Sequence, residues 1–142
     1  MKSIFKIRTA VSLAMCVMFA LVLFSGCSKD DNDVRDGYVG NYRVFQRFVI
    51  AGNIYESNYN ITISKSLVSK SDIIISNIID AGQGVQVIAI VNGDSFMIPQ
   101  QTIEGEGISG SGRKAGNTLD FSVLVTFDLL GQASGTLTAT RM

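Results

Sequence analysis

Hydrophobic and polar residues alternate along most of the chain from Asn41 onward, most clearly in Tyr59–Ser64 and Leu119–Phe127. Such alternation places every second side chain on one face of an extended strand, whereas a helix repeats after about 3.6 residues. The residues are mainly Ile, Val, Phe, Tyr and Thr, which favour strands. The pattern predicts eight strands, at Tyr42–Ile50, Tyr59–Ser64, Ser71–Ile79, Val85–Asn92, Ser95–Ile98, Gly107–Gly112, Thr118–Phe127 and Ala133–Arg141.

The connections between these strands are short, and most of them contain glycine, as in Asn92–Asp94 and Ala115–Asn117. Short connections join antiparallel neighbours. The apolar segments Ile73–Ile75 and Val87–Val91 would promote aggregation on an open edge, and closing the sheet removes its edges. We therefore predict an all-β, eight-stranded antiparallel up-and-down β-barrel. The alternative is a two-sheet β-sandwich, whose Greek-key crossing needs a longer connection than most of these.

One face of the first predicted strand carries Tyr42, Val44 and Phe48, and the other carries Arg43 and Arg47. The apolar row is expected to face the interior. The same rule places inside the residues Tyr59, Ile61, Ile63, Leu119, Phe121, Val123 and Val125. Because these side chains are large, we expect a packed interior; the reverse alternative puts both arginines inside, where they would hold an anionic ligand. The candidates for contact with a ligand are the barrel-lining residues Tyr42, Phe48, Tyr59 and Phe121.

The N-terminal residues follow a different pattern. A basic region at Lys2–Arg8 precedes an apolar run at Ala10–Phe24, and small residues and Cys27 follow. This is the order of regions in a secretory signal peptide. The apolar run is shorter than the roughly 20 residues that a transmembrane helix needs. We therefore predict that residues 1–26 are a signal peptide that is removed.

The segment Leu23-Phe24-Ser25-Gly26-Cys27 resembles a bacterial lipobox, in which a dedicated peptidase cuts before the cysteine. The resemblance implies that Cys27 becomes the mature N-terminus and carries lipid on its sulfur and its amine. Several acyl chains give stable membrane attachment, whereas one chain anchors only marginally. The other interpretation is an ordinary thiol at Cys27 after a plain signal peptide. Cys16 lies in the leader, so the mature chain would form no intramolecular disulfide.

The residues after Cys27 resemble the export signal of Bacteroidetes surface lipoproteins, which consists of a lysine followed by acidic residues. The matching residues are Ser28, Lys29, Asp30 and Asp31. The resemblance implies a lipid-anchored protein of the outer membrane that faces the cell exterior. A solvated acidic tether between anchor and domain is the alternative interpretation. We assign residues 27–40 to the lipidated cysteine and a flexible acidic tether, and residues 41–142 to the barrel.

Four short segments follow one another in the remaining chain, at Gly40–Tyr42, Tyr59–Ile63, Phe96–Gln101 and Ile108–Gly112. Together they resemble small Bacteroidetes lipoproteins with a lipocalin-like, or calycin-like, β-barrel. Lipocalins open with Gly-X-Trp, and Tyr42 stands here in the place of the tryptophan. No arginine of the lipocalin type is identifiable at the end of the barrel. The resemblance therefore implies the fold, without a ligand class.

The composition excludes several kinds of chemistry. The chain of 142 residues contains no His, so it has no Ser-His-Asp triad, no Cys-His dyad and no imidazole base. Most acidic residues lie in or near predicted turns, and Asp120 is expected to face outward from its strand. Gly105–Gly110 fits the pattern G-x-G-x-x-G, but turn-forming residues follow it where a phosphate site needs a helix. We expect no enzyme activity and no cofactor.

Metal ions and nucleic acids are not expected as partners either. Asp31, Asp33 and Asp36 resemble a calcium loop only loosely, because EF-hand spacing would need an oxygen ligand at Arg35. Basic and acidic residues number 12 each, and the leader takes away basic residues only. The remaining chain is mildly acidic, which gives no electrostatic basis for nucleic-acid binding.

These observations predict a non-catalytic binding module, anchored to the outer membrane through lipid at Cys27. It would take a small apolar ligand or a surface partner, such as an outer-membrane or host protein. The alternative is a structural or accessory subunit that docks on another outer-membrane protein, with a filled barrel and no ligand.

Overall fold

Strands make up most of the computed structural model, which describes residues 32–128 and 131–142. In chain order they are β1 (Gly40–Ile50), β2 (Asn53–Lys65), β3 (Asp72–Ser76), β4 (Gln86–Asn92), β5 (Ser95–Ile103), β6 (Glu106–Ala115), β7 (Thr118–Phe127) and β8 (Gly131–Arg141). Each strand pairs antiparallel with the next, and β8 pairs with β1, so the sheet closes. The predicted lipocalin-like barrel is confirmed, and the continuous β8–β1 pairing excludes the sandwich.

Several predictions fall on residues outside the described ranges. They concern the signal peptide (residues 1–26), the lipidation site Cys27 and the export signal Ser28, Lys29, Asp30 and Asp31. Within the described ranges, no helix is long and apolar enough to cross a membrane.

Three strand predictions need correction. The second strand begins at Asn53 rather than at Tyr59, because its pairing with β1 continues as far as the turn at Ala51 and Gly52. The third strand ends at Ser76 rather than at Ile79, because Asn77 and Ile79 have φ values of 64° and 52°, which extended backbone does not adopt. The fifth strand continues to Ile103, beyond the predicted end at Ile98. A shift of register between Ile98 and Gln101 forms a bulge, and a bulge tolerates Pro99 because the extra residue needs no ladder hydrogen bond.

The barrel interior is filled mainly by aliphatic and aromatic side chains. Every residue predicted to face inward is buried, including the candidates Tyr42, Phe48, Tyr59 and Phe121. Arg43 and Arg47 are exposed, so the alternative with arginines inside is wrong. Asp120 faces outward, as predicted.

Glycines on the inner face make room for the largest rings. A Cβ atom at Gly135 would lie 2.5 Å from Cζ of Phe48, and one at Gly112 would lie 2.5 Å from Cζ of Phe96. Phe96 in turn packs edge to face against Phe121, with ring centroids 5.5 Å apart. The aromatic rings therefore fill the space that the glycines, which have no side chain, leave free.

The end of the barrel at which β1 begins and β8 ends, here called the N-terminal end, is closed by a 3₁₀ turn at Val34–Gly37 and by Tyr38. Tyr38 is fully buried, its hydroxyl donates to the Gly93 carbonyl at 2.9 Å, and burial raises its pKa to about 12. The ring packs edge to face against Phe96. The predicted domain boundary at Asn41 is therefore too late, since residues 33–40 are part of the fold; residues 27–31 of the predicted tether lie outside the described ranges.

Arg35 ties this N-terminal segment to the connection between β2 and β3. Its guanidinium donates to the Ser66 carbonyl at 3.1 Å and to the Ser69 carbonyl at 2.6 Å, and it pairs with Asp33 at 2.7 Å. Lys65 contacts Asp33 at 3.0 Å and Asp36 at 2.6 Å. Asp33 and Asp36, two of the residues that loosely resemble a calcium loop, therefore pair with cationic side chains of the protein itself.

Arg141, at the end of β8, packs against the first strand and the N-terminal segment. Its guanidinium lies over the Tyr42 ring, 5.4 Å from the centroid, and Nη2 donates to the carbonyls of Gly37 at 2.9 Å and Val39 at 2.8 Å. The Tyr42 hydroxyl donates to the Tyr38 carbonyl at 2.8 Å. The last strand, the first strand and the N-terminal segment therefore meet at one arginine.

The ion pair at the N-terminal end predicts an acid-sensitive closure. The hydrogen bonds from Arg35 hold the pKa of the Asp33 carboxyl well below its usual range, against the opposing effect of burial, and Lys65 adds to the lowering. A lowered folded-state pKa stabilises the fold above the unfolded pKa of about 4, and this contribution is lost as the pH falls further.

We expect Asp33→Asn to melt at a lower temperature at pH 7 and to show a smaller further loss of stability below pH 4 than the parent. Thermal melts followed by circular dichroism measure this, with Asp120→Asn on the outer wall as the control. Parallel pH profiles for Asp33→Asn and the parent would contradict the prediction.

Candidate functional site

Polar side chains interrupt the apolar interior at one place on the wall formed by β1 and β2. Gln46 lies opposite Ser57 in the register, and its Nε2 donates to Ser57 Oγ at 2.8 Å. Tyr59 is the next inward residue on β2, opposite Val44. Gln46 and Tyr59 are thus diagonal neighbours, about 7–8 Å apart, which long side chains can span. We call Gln46, Ser57 and Tyr59 the interior polar cluster.

Two buried oxygens of this cluster have no hydrogen-bond partner among the described residues. They are Oε1 of Gln46 and the hydroxyl of Tyr59. Buried polar atoms in proteins are normally paired, because removing them from water without a partner costs about 1–3 kcal/mol each. Two such atoms on one wall give the interior a local capacity to bind a polar group.

Burial also fixes the chemical form of the Tyr59 hydroxyl. Tyr59 is 9% exposed, and desolvation raises its pKa well above the usual range, against a partial lowering by the Ile79 backbone N–H, which lies near the hydroxyl but does not reach hydrogen-bond geometry. The negative charge of Asp80 adds to the increase. The hydroxyl is therefore neutral near pH 7 and can donate a hydrogen bond as well as accept one.

The connection between β3 and β4 covers the opposite end of the barrel, here called the distal end. In this distal segment (residues 77–85), Asn77, Ile79 and Asp80 all have positive φ values, of 64°, 52° and 61°. Asn and Asp tolerate this conformation, but a β-branched isoleucine does so at a cost. Ile78, between them, is fully buried in the core. The barrel is therefore covered here by a strained turn.

The side chain of Asn77 holds the distal segment to its surroundings. Its Nδ2 donates to the Asn60 carbonyl at 2.8 Å, and its Oδ1 accepts from the Gly82 N–H at 2.6 Å. The segment is thus attached to β2 at Asn60, next to Tyr59 of the polar cluster. Strained backbone that is held in place by its surroundings is characteristic of ligand clamps and of segments that move.

A small cavity lies beside the distal segment. Its volume is about 130 Å³, and its lining combines the apolar residues Ile79, Ile103, Ile108 and Val125 with the acidic residues Glu104 and Glu106. Ile79 lines this cavity, and its backbone lies near the Tyr59 hydroxyl. Pockets for drug-sized ligands measure about 300–1,000 Å³, so this space admits only a small group unless the distal segment shifts.

A larger depression, of about 620 Å³, lies on the outer wall across β5 to β8. It is wide and shallow, and serine and threonine hydroxyls such as those of Ser122 and Thr138 line it. Thr138 Oγ1 donates to Asp120 at 2.9 Å, so the polar groups there have partners or face solvent. The smaller distal cavity is the better site, because Ile79, which lines it, also lies next to the buried Tyr59 hydroxyl.

Of the four barrel-lining candidates, Tyr59 alone has a polar atom near the distal segment, beside the backbone of Ile79. Tyr42 is held by hydrogen bonds at the N-terminal end, and the rings of Phe48 and Phe121 pack in the core. Gln46 was missed, although it occupies an inward position between Val44 and Phe48. The alternation of β1 places Gln46 on the inner face, and a polar residue at such a position indicates a candidate site.

Within residues 32–128 and 131–142, no cluster of three acidic or cysteine side chains has the arrangement of a metal site. The distal site offers hydrogen bonding and apolar contact. Such an arrangement can bind and orient a small molecule.

No protein-family model matches this chain, and no curated protein matches it. Its fold is similar to a crystal structure from Bacteroides ovatus, at 2.40 Å resolution, of a structural genomics protein of unknown function. The TM-score is 0.50 and the sequence identity is 14%, and the match covers 73% of this chain. The chain spans 41% of the length of that neighbour. At this identity the likeness shows the fold alone.

The hydroxyls of Tyr42 and Tyr59, two of the three buried tyrosines, predict opposite effects on stability. Tyr42→Phe removes a hydroxyl that bonds to Tyr38 and Arg141, so we expect the free energy of unfolding to fall by about 1–3 kcal/mol. Tyr59→Phe removes a buried hydroxyl with no partner in the described structure, so we expect no loss, or a gain of up to about 1 kcal/mol. Urea denaturation of the two variants measures the difference. Equal losses in both would contradict the assignment of Tyr59.

Proposed function

We propose that the protein is a lipid-anchored, non-catalytic binding module whose distal end takes a small, largely apolar molecule with one polar group. The observation that carries this proposal is the buried Tyr59 hydroxyl, which lies beneath a strained segment and finds no partner in the described chain. Apolar walls from Ile103, Ile108 and Val125 would contact the rest of the molecule.

The anchoring part of the proposal rests on the N-terminal sequence. Leu23–Cys27 resembles a lipobox, and Ser28–Asp31 resembles a surface-export signal. The described domain begins at Asn32, only five residues after Cys27. A lipid on Cys27 would therefore hold the barrel close to the membrane, in the outer leaflet of the outer membrane.

The packed interior favours a second candidate function. The distal cavity measures about 130 Å³, which leaves little room for a ligand while the distal segment stays in place. A filled barrel suits a structural or accessory subunit that docks on another outer-membrane protein. The two candidates differ in whether the isolated protein binds small molecules.

The anchor is tested by replacing each cysteine in turn. In bacterial cells that express the full chain, Cys27→Ser is expected to abolish incorporation of radiolabelled palmitate, because the acceptor of the lipid is removed. Cys16→Ser changes only the predicted leader and should keep the label. Immunoblots show whether both variants are made, and persistent labelling of Cys27→Ser would overturn the anchor.

The binding site is tested by titrating the purified protein with fluorescent fatty-acid and retinoid-like probes. We expect saturable binding, and we expect Tyr59→Phe to raise the Kd by about twofold to tenfold, which corresponds to one hydrogen bond of about 0.5–1.5 kcal/mol. Ser122→Ala on the outer wall is the control and should bind like the parent. Absence of saturable binding would reject the site and leave the accessory role.

A further inference from the structure

The connection between β2 and β3 carries the two most exposed large apolar side chains of the described structure. Leu67 is 101% exposed and its neighbour Val68 is 97% exposed. Single exposed apolar residues are normal on soluble proteins. Two adjacent ones at the tip of a projecting connection present a small apolar surface that nothing in the described chain covers.

This tip, defined here as Ser66–Ser71, is held in its projecting form. Arg35 donates to the carbonyls of Ser66 and Ser69, on either side of Leu67 and Val68. The Ser66 N–H donates to the Asp72 carbonyl at 3.0 Å, and the Val68 N–H donates to Ser66 Oγ at 3.2 Å. The apolar pair therefore cannot fold back onto the barrel without breaking the contacts of a buried arginine.

Lysines flank the tip, which has the sequence Lys65-Ser66-Leu67-Val68-Ser69-Lys70. Lys70 is exposed, and Lys65 is partly exposed beside Asp33 and Asp36. An apolar pair between lysines suits the boundary of a bilayer, where the apolar groups enter the lipid and the ammonium groups stay at the headgroups.

The tip lies at the N-terminal end of the barrel, together with the segment that leads toward Cys27. Asn32 follows Cys27 by five positions, and a fully extended chain of this length spans at most about 18 Å. A lipid on Cys27 would therefore bring this end, rather than the distal end, to the membrane surface.

The charges are distributed unevenly along the barrel axis. Of the eight basic residues in the described chain, seven lie in the half next to the N-terminal end, and Arg47 is the exception. The ten acidic residues divide equally between the halves. The N-terminal half is thus net positive and the distal half net negative, which favours the N-terminal end against an anionic lipid surface.

We propose that the N-terminal end of the barrel rests on the bilayer, with Leu67 and Val68 inserted among the lipid headgroups as a second contact beside the lipid anchor. This proposal rests on the anchor at Cys27 in the proposed function. The contact holds the barrel upright, so the distal site points away from the membrane. A lipid bilayer is the one partner that meets the anchor, the apolar tip and the basic half together.

The absence of tryptophan from the sequence makes a direct test possible, because an introduced tryptophan is the only one in the protein. The lipidated Leu67→Trp protein is reconstituted into phosphatidylcholine–phosphatidylglycerol vesicles, with and without bromine on the acyl chains. We expect its emission to shift to shorter wavelength on vesicles and to be quenched by the brominated lipid. Ile54→Trp, in the distal half and 54% exposed before substitution, is the matched control and should show neither effect.

Flotation of the same samples on a density gradient separates the anchor from the tip. Flotation with quenching at position 67 alone supports the proposal. Flotation without quenching at position 67 overturns the tip contact and leaves the proposed function standing. Equal quenching at positions 54 and 67 overturns the upright orientation, and failure to float overturns the anchor together with this proposal.

Discussion

The limited volume inside an eight-stranded barrel is the constraint on which the other features depend. A barrel of this size is just wide enough to be filled by side chains or to hold one small ligand. Here isoleucine, valine and aromatic residues fill it, and Phe48 even occupies the space that a side chain at position 135 would need. A cavity of about 130 Å³ lies at the distal end. Any binding function must therefore be sought at an end of the barrel rather than along its axis.

The two ends of the barrel are closed in different ways. At the N-terminal end Arg35 and Arg141 together supply hydrogen bonds to carbonyl groups that would otherwise lack donors, so that end is fixed. At the distal end the backbone of Ile79 is strained, and the nearby Tyr59 hydroxyl finds no partner in the described residues. We expect the distal end to open more readily than the N-terminal end, which would suit the proposed anchoring at one end and binding at the other.

The sequence predicted the strands and their inward rows well, because a repeat of two residues is a local property. It did not reveal the roles of Arg35 and Arg141, because their partners are backbone carbonyls that the fold brings close, such as those of Ser66 and Val39. The positive φ value at Ile79 was likewise invisible, since a β-branched residue has no local preference for that conformation. Gln46 differs from these cases. Its inward position follows from the alternation of β1, and it was left out of the candidate site only because the interior was expected to be apolar.

The strain in the segment that covers the distal end would offset part of the cost of displacing it. Relief of one strained, β-branched residue at positive φ is worth about 1–3 kcal/mol. Exposing the buried side chain of Ile78 costs about 1.5–3 kcal/mol. A ligand that fills the space left by Ile78 and pairs with the Tyr59 hydroxyl restores both the apolar burial and a hydrogen bond. Displacement of the segment by such a ligand therefore has a small net cost, whereas the packed core below, which carries no comparable strain, stays closed.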